Sequence, residues 1–229
     1  MERLAEEIRE QLEVQTAFTV NIAGHEIGIL ESTVISWVVI GIILIVSLIL
    51  TTGLKKDHIS RRQALAEFIV TKLDELVSGM IGEEGKAYVA YLVTVLLFIG
   101  VSNVIGLFGM KPPTKDLNVT AALAIMSIIL VQAAGIKHKK VGGWLKSFTQ
   151  PIAIVTPINI LEIVIKPLSL CMRLFGNVVG AFVIMELLKA IVPAIVPSVF
   201  SLYFDIFDGI LQAYVFVFLT SMYIKEAME

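Results

Sequence analysis

The stretch Ala87-Tyr-Val-Ala-Tyr-Leu-Val-Thr-Val-Leu-Leu-Phe-Ile-Gly-Val-Ser-Asn-Val-Ile-Gly-Leu-Phe108 decides the fold. It reaches the ~20 residues that cross a ~30 Å hydrocarbon core at ~1.5 Å rise per residue. Runs 33–54, 117–136 and 199–224 are of the same kind. Backbone groups in lipid need internal partners, so such segments are helices or closed-barrel strands. None shows the period-two alternation of a barrel strand, so they are helices. The chain is 57% hydrophobic over 229 residues, with mean hydropathy +0.87, too apolar for a soluble domain. These observations define an all-α polytopic membrane protein.

Net charge is −2 and no basic tract points to nucleic acid. Cys171 is the single cysteine, which excludes an internal disulfide, and His25, His58 and His138 are scattered, so no metal-ligand spacing arises. There is no GxxxxGK[ST], GxGxxG after a strand, HExxH or nucleophile elbow. Neither a cofactor nor a directly bound nucleotide is expected, and energy from ATP would have to come through a partner.

Residues 1–32 read as an acidic N-terminal tail, without the basic start of a cleavable signal peptide. Basic loops follow the spans at Lys55–Arg62 and Lys137–Lys140, whereas the loop at 109–116 is nearly balanced. The positive-inside rule then places the N-terminus outside and both basic loops in the cytoplasm, with the C-terminus also cytoplasmic, in a plasma membrane. Residues 87–136 form an upright hairpin closed outside by Pro112-Pro113. Residues 60–80 are no span: Leu65, Ile69, Leu73, Leu76, Val77 and Met80 share one face of an amphipathic helix, expected on the cytoplasmic interface. Trp37 and Trp144 read as interface anchors.

Residues 151–226 differ. Pro151 to Val192, read as one helix, would run roughly 63 Å, about twice the hydrocarbon core. It must break near Pro157 or Pro167, or tilt strongly. Pro193 and Pro197 close a turn, and the chain returns. Glu162, Lys166, Arg173, Glu186 and Lys189 lie on the first arm, and Asp205, Asp208 and Gln212 on the second.

Arg173 is the informative charge. An arginine cannot shed its proton in a protein, and placing it mid-bilayer costs ~2.5–3.5 kcal/mol on insertion scales. Ser169, Arg173, Gly176, Asn177 and Gly180 share one helical face, which small residues open to another backbone. The bland alternatives are helix packing within the chain for the glycines and snorkelling for Arg173. Asp205, Asp208 and Gln212 also share a face, as a water-lined path or as partners for Arg173. Asp205 near the outer surface is the plain alternative. Glu162 and Lys166 suit an i, i+4 salt bridge, and Glu186 with Lys189 suits the outer interface or a funnel. Asn103, Asn118 and Gln132 read as interhelical hydrogen bonds.

Lys166-Pro-Leu-Ser-Leu-Cys-Met-Arg-Leu-Phe-Gly-Asn177 closely resembles the signature of subunit a of F-type ATP synthases. Asn103-Val-Ile-Gly-Leu-Phe108, Pro113-Thr-Lys-Asp116-Leu-Asn118-Val-Thr120 and Leu211-Gln212-Ala213-Tyr-Val-Phe216 agree with that family in order and spacing. The resemblance implies an ion-translocating stator facing a rotating ring of small hairpin subunits (subunit c), each with a mid-membrane carboxylate. It implies two offset half-channels with Arg173 as the fixed cation between them, and Asn177, Gln212 and Glu162 as polar positions of the ion path. The remaining implied partners are the peripheral stalk subunit b and the rest of the synthase. The implied cargo is H⁺ or Na⁺.

Two positions depart from the family's pattern. Phe182 stands where many relatives carry glutamate or histidine, and Asp205 where they often carry histidine or glutamate. The path is therefore expected to use Asp205, with Asp208 or Glu186 replacing the missing group. Two other classes compete. A secondary transporter would bind an anionic substrate at Arg173, and a structural scaffold would merely let its buried charges satisfy one another.

Overall fold

A computed structural model describes residues 16–22, 25–52, 60–149, 154, 156–191 and 195–229. The expected acidic start, most of the basic loop at 55–62, and Pro151 and Pro193 lie outside them. Two strands, β1 (Thr16–Ile22) and β2 (His25–Leu30), pair antiparallel. The sequence reading took this region for a plain tail. Phe18, Val20 and Ile22, then Ile27 and Ile29, alternate as strand residues do, and that was the signal.

Helix α1 (Glu31–Thr51) follows directly. Glu31 in its first turn complements the positive N-terminal end of the helix dipole. Ser32, Ile35 and Val39 face the protein, while Leu44, Ile45, Leu48 and Ile49 are exposed and suited to lipid. Ser36 and Thr51 return their hydroxyls to carbonyls one turn back, so they leave no hydroxyl unpaired in an apolar medium.

Helix α2 (Arg61–Ile81) is capped by Ser60, whose side chain accepts from the Gln63 amide, and ends at Gly82 with φ +79°. Part of the apolar face read from the sequence packs on the protein, with Val77 buried and Leu73 and Met80 half-buried. Gln63, Ala66, Val77 and Ile81 are buried, whereas Leu65, Ile69 and Leu76 are exposed. Lipid and protein interior are both apolar, so hydrophobicity alone does not say which residues of such a helix face which.

Helix α3 (Val89–Val104), extended by 3₁₀ turns at Glu83–Tyr88 and Ile105–Phe108, pairs with α4 (Leu117–Ser147). Asp116 caps α4 by accepting from the Asn118 amide at 2.9 Å. The expected boundary at Lys137–Lys140 coincides with a break: Lys140 is non-helical, φ 61° and ψ 163°, and a second helical segment runs on from it to Ser147. The Trp144 indole donates to Gln132 Oε1 at 3.0 Å, and its ring meets Phe148 edge-on. Trp144 therefore anchors the bent-back segment, and Gln132 bonds across the Lys140 kink, from the span to that segment.

Helix α5 (Thr156–Ile191) is unbroken for 36 residues and runs through Pro167. Of the two alternatives, a break or a tilt, the break near Pro167 is absent, and Pro157 sits in the first turn, where a missing N–H costs nothing. Helix α6 (Ile195–Ser201) follows, then a π-helical segment, Leu202–Asp208, and α7 (Gly209–Met228). Pro197 lies inside the first turn of α6, again a tolerated place, and the residues that lead into it, 192–194, lie outside the described ones. Five helices among the described residues are long and apolar enough to cross a membrane.

The core joins α3, α4, α5 and α7, with Leu92, Val95 and Ile99 packed among Leu123, Leu174, Phe216 and Val217. In lipid, close packing and interhelical hydrogen bonds hold such a bundle, each bond contributing ~0.6 kcal/mol on average. Asn103 supplies two, donating to the Gly209 carbonyl at 3.0 Å and accepting from Thr114 at 2.7 Å. This close approach requires a glycine, since a Cβ on Gly209 would lie 2.8 Å from Asn103 Cβ.

Candidate ion-conducting site

Leu170, Cys171 and Leu174 bury one face of α5, with Cys171 against Thr120 of α4. That packing fixes which face is left outward. Arg173 is exposed on it, close to the midpoint of the helix. Among the described residues none pairs with its guanidinium. A Cβ added to Gly176 or Gly180 would meet nothing within 4 Å. These glycines do not serve packing inside this chain, and Ser169, half-buried, borders the same open face. Asp205 and Asp208, weighed as partners for Arg173, form no ion pair with it.

One turn beyond Arg173, Asn177 donates to Gln212 Oε1 at 2.6 Å, tying α5 to α7. Gln212 is 2% exposed, and its Nε2 has no partner among the described residues. A buried amide hydrogen left unbonded is costly, so this group is set to donate to water.

Gln212 and Asn103 also line a cavity of about 770 Å³. Its walls come from the α3–α4 loop, the second half of α5, and the α6–π–α7 return. Asp205, Asp208, Glu186 and Lys189 all face it. Asp205 accepts from Ser201 at 2.5 Å, and its carboxylate lies where a Cβ on Gly106 would come within 3.0 Å. The π-helical segment shifts the phase of the helix between Asp205 and Gln212, so the α-helical spacing used to group these residues does not describe them. They nonetheless line one cavity. Glu186 pairs with Lys189 at 2.8 Å.

Other expected residues fall elsewhere. Glu162 is not brought to the cavity: it pairs with Lys166 at 3.0 Å, and Lys166 also reaches Glu226 at 2.8 Å. This ion network ties the start of α5 to the end of α7. Asn118 makes no interhelical bond through its side chain, which is exposed. Asp116 is buried and accepts from Ser32 at 2.5 Å, fastening the loop to α1. Sequence reasoning missed Ser32, Thr114, Glu226 and Lys115. Lys115 lines the cavity with its Nζ 3.3 Å from the centre of the Phe182 ring. Thr114 and Lys115 lie inside a motif already singled out, and only their contacts were hidden.

The fold and site define a polytopic helical membrane protein with a polar cavity and, on a helix long and apolar enough to cross a membrane, an exposed arginine. The family described as ATP synthase A chain matches residues 33–225. The ATP synthase subunit a of Moorella thermoacetica is 37% identical over 197 residues, 85% of this chain and 89% of that one. The sodium ion specific subunit a of Propionigenium modestum is 33% identical over 184 residues, 73% of this chain and 64% of that one. The subunit a 3 of Pelobacter propionicus is 35% identical over 199 residues, 85% and 86%. The chain belongs to the ATP synthase subunit a family. It is an ion-translocating stator subunit of an F-type ATP synthase, a multi-pass membrane protein that works with the rest of that complex.

Proposed function

We propose that the cavity is the inlet half-channel and that Arg173 is the fixed cation between it and the outlet. The carrying observation is the placement of Arg173: exposed at mid-helix, without a partner among the described residues, one turn past the Asn177–Gln212 bond. A guanidinium so placed is stable in a bilayer only opposite something that answers its charge. The open Gly176 and Gly180 let a partner helix approach closely. A ring of hairpin subunits, each with one membrane-embedded carboxylate, supplies both.

The ion would enter past Asp205 and Asp208 and cross near Gln212 to a ring carboxylate. Near Arg173 that carboxylate is held ionised, because an adjacent permanent cation favours the charged form. It therefore releases its ion toward the outlet, and the guanidinium blocks a direct leak. Each ion crossing ~100 mV delivers ~2.3 kcal/mol, so several are needed per ATP. The cargo is H⁺ or Na⁺. One relative is named as sodium ion specific, and the ring's carboxylate makes the choice.

The cavity lies at the α3–α4 loop, which charge distribution places outside, with both basic loops and the C-terminus in the cytoplasm. Helix α5, roughly 54 Å long, tilts to fit the plasma membrane. The peripheral stalk subunit b holds the chain against ring torque. A scaffold whose charges satisfy one another would not leave Arg173 unanswered. Cysteines placed along 169–180 test the reading: crosslinks to the ring subunit at 173, 176 and 180 support it, and a scan that never captures the ring overturns it.

A further inference from the structure

Phe182 brings no ionisable group to the cavity, yet an ammonium reaches it from the opposite wall. Lys115, in the 3₁₀ turn Pro113–Lys115, seats its Nζ on the Phe182 ring face at 3.3 Å. An ammonium over an aromatic face is held by the ring's quadrupole, so the cation has a fixed position in the cavity wall. Charges of both signs surround the contact. Lys111 of the same loop meets Glu31 of α1 at 3.4 Å, and Glu186 meets Lys189 on α5 at 2.8 Å. Asp205 and Asp208 face the space from the return helix.

A fixed positive charge in the wall of a cation path opposes every cation that enters. Resting on the inlet reading of this cavity, we propose that Lys115 sets cation admission: its ammonium, seated on Phe182, restrains uptake, and its neutral amine relieves that restraint. Burial, with repulsion from Lys111, pushes the Lys115 ammonium down to about 8, although Glu186 and Glu31 act in the opposite direction. Lys115 is therefore charged below that pH and neutral above it, which places the change in a range that a membrane exterior can visit. The cavity becomes more permissive as the outside turns alkaline and its protons grow scarce.

The test uses the whole ATP synthase in vesicles, with ATP synthesis driven by a potassium diffusion potential. The pH on the cavity side is varied from about 7 to about 9 around the Lys115 transition. Wild type is compared with Lys115→Met and Lys115→Arg at each pH, so that changes in proton supply cancel in the ratios. At about pH 7, Lys115→Met should run about three- to tenfold faster than wild type, as removal of one nearby charge implies. That advantage should vanish by about pH 9. Lys115→Arg, permanently charged, should match wild type at low pH and fall behind it by the same factor at high pH. Ratios that stay flat with pH, or a Lys115→Met complex no faster than wild type at low pH, overturn the proposal. Should Lys115→Met not assemble, Lys115→Arg alone decides, since a permanent charge must abolish the relative rise. A parallel Arg173→Gln sample separates the two ideas: loss of synthesis there, with flat Lys115 ratios, removes only this inference. Retained synthesis in Arg173→Gln removes the inlet reading itself.

Discussion

Asn177 donates its side-chain amide to Gln212 Oε1 over 2.6 Å, and this bond joins the helix of Arg173 to the return arm behind Asp205 and Asp208. It marks the place where the polar cavity ends and the exposed arginine face begins. Gln212 spends its oxygen on this bond and keeps its Nε2 unpaired.

Replacing Gln212 with Leu should therefore lower ion-driven synthesis while leaving the complex assembled. The substitution removes the bond and the spare amide together, and strands the Asn177 amide. One such bond, at ~1 kcal/mol, implies a rate about fivefold lower. Gln212→Glu, which keeps an acceptor for Asn177, should retain more activity than Leu. Synthesis rates normalised to complex content check both.

Asp205 and Asp208 face one cavity from adjacent turns. Removing either carboxylate by Asn substitution should slow uptake several-fold, and removing both should cost more than the product of the single effects. Groups that share one task are non-additive. A double-mutant comparison of synthesis rates decides; strictly multiplicative effects would mean that the two act independently.

Gly209→Ala should destabilise the bundle by about 1–3 kcal/mol. Its new methyl would meet Asn103 Cβ at 2.8 Å, and easing that contact stretches the Asn103 bond to the Gly209 carbonyl. Thermal denaturation of the purified complex measures this. The paired variant Asn103→Gly with Gly209→Ala, which removes the clashing Cβ, should recover part of the loss from the clash.

The Lys166 network should matter less. Lys166 bridges Glu162 and Glu226 at 3.0 and 2.8 Å, but the two carboxylate side chains are 45% and 57% exposed. Solvent screening limits each such pair to ~0–1 kcal/mol. Glu226→Gln should lower thermal stability only slightly and leave ion-driven synthesis near the wild-type rate.

The spans were legible because length and apolarity alone define them, as 87–108 shows. Arg173 was legible because a permanent charge in an apolar run has few bland explanations. Other features depend on information that a linear pattern does not carry. The apolar face of α2 was legible but its division was not, because lipid and protein interior are both apolar, so moment alone cannot tell exposed Leu65 from buried Val77. The positive run at Lys137–Lys140 marked the break at Lys140, but the helical segment beyond it carried no separate signal. The π segment at Leu202–Asp208 changes the helical period without an obvious breaker residue. The Lys115–Phe182 contact joins residues far apart in sequence, and only the packed loop brings them together.

The most direct test of the central claim is ATP synthesis in vesicles carrying Arg173→Gln, with complex content measured on the same preparation and Na⁺ varied. With Arg173 as the charged barrier, an assembled mutant complex makes no ATP under a membrane potential that drives the native one. Synthesis at the native rate in that assembled complex would make Arg173 a structural charge and contradict the account.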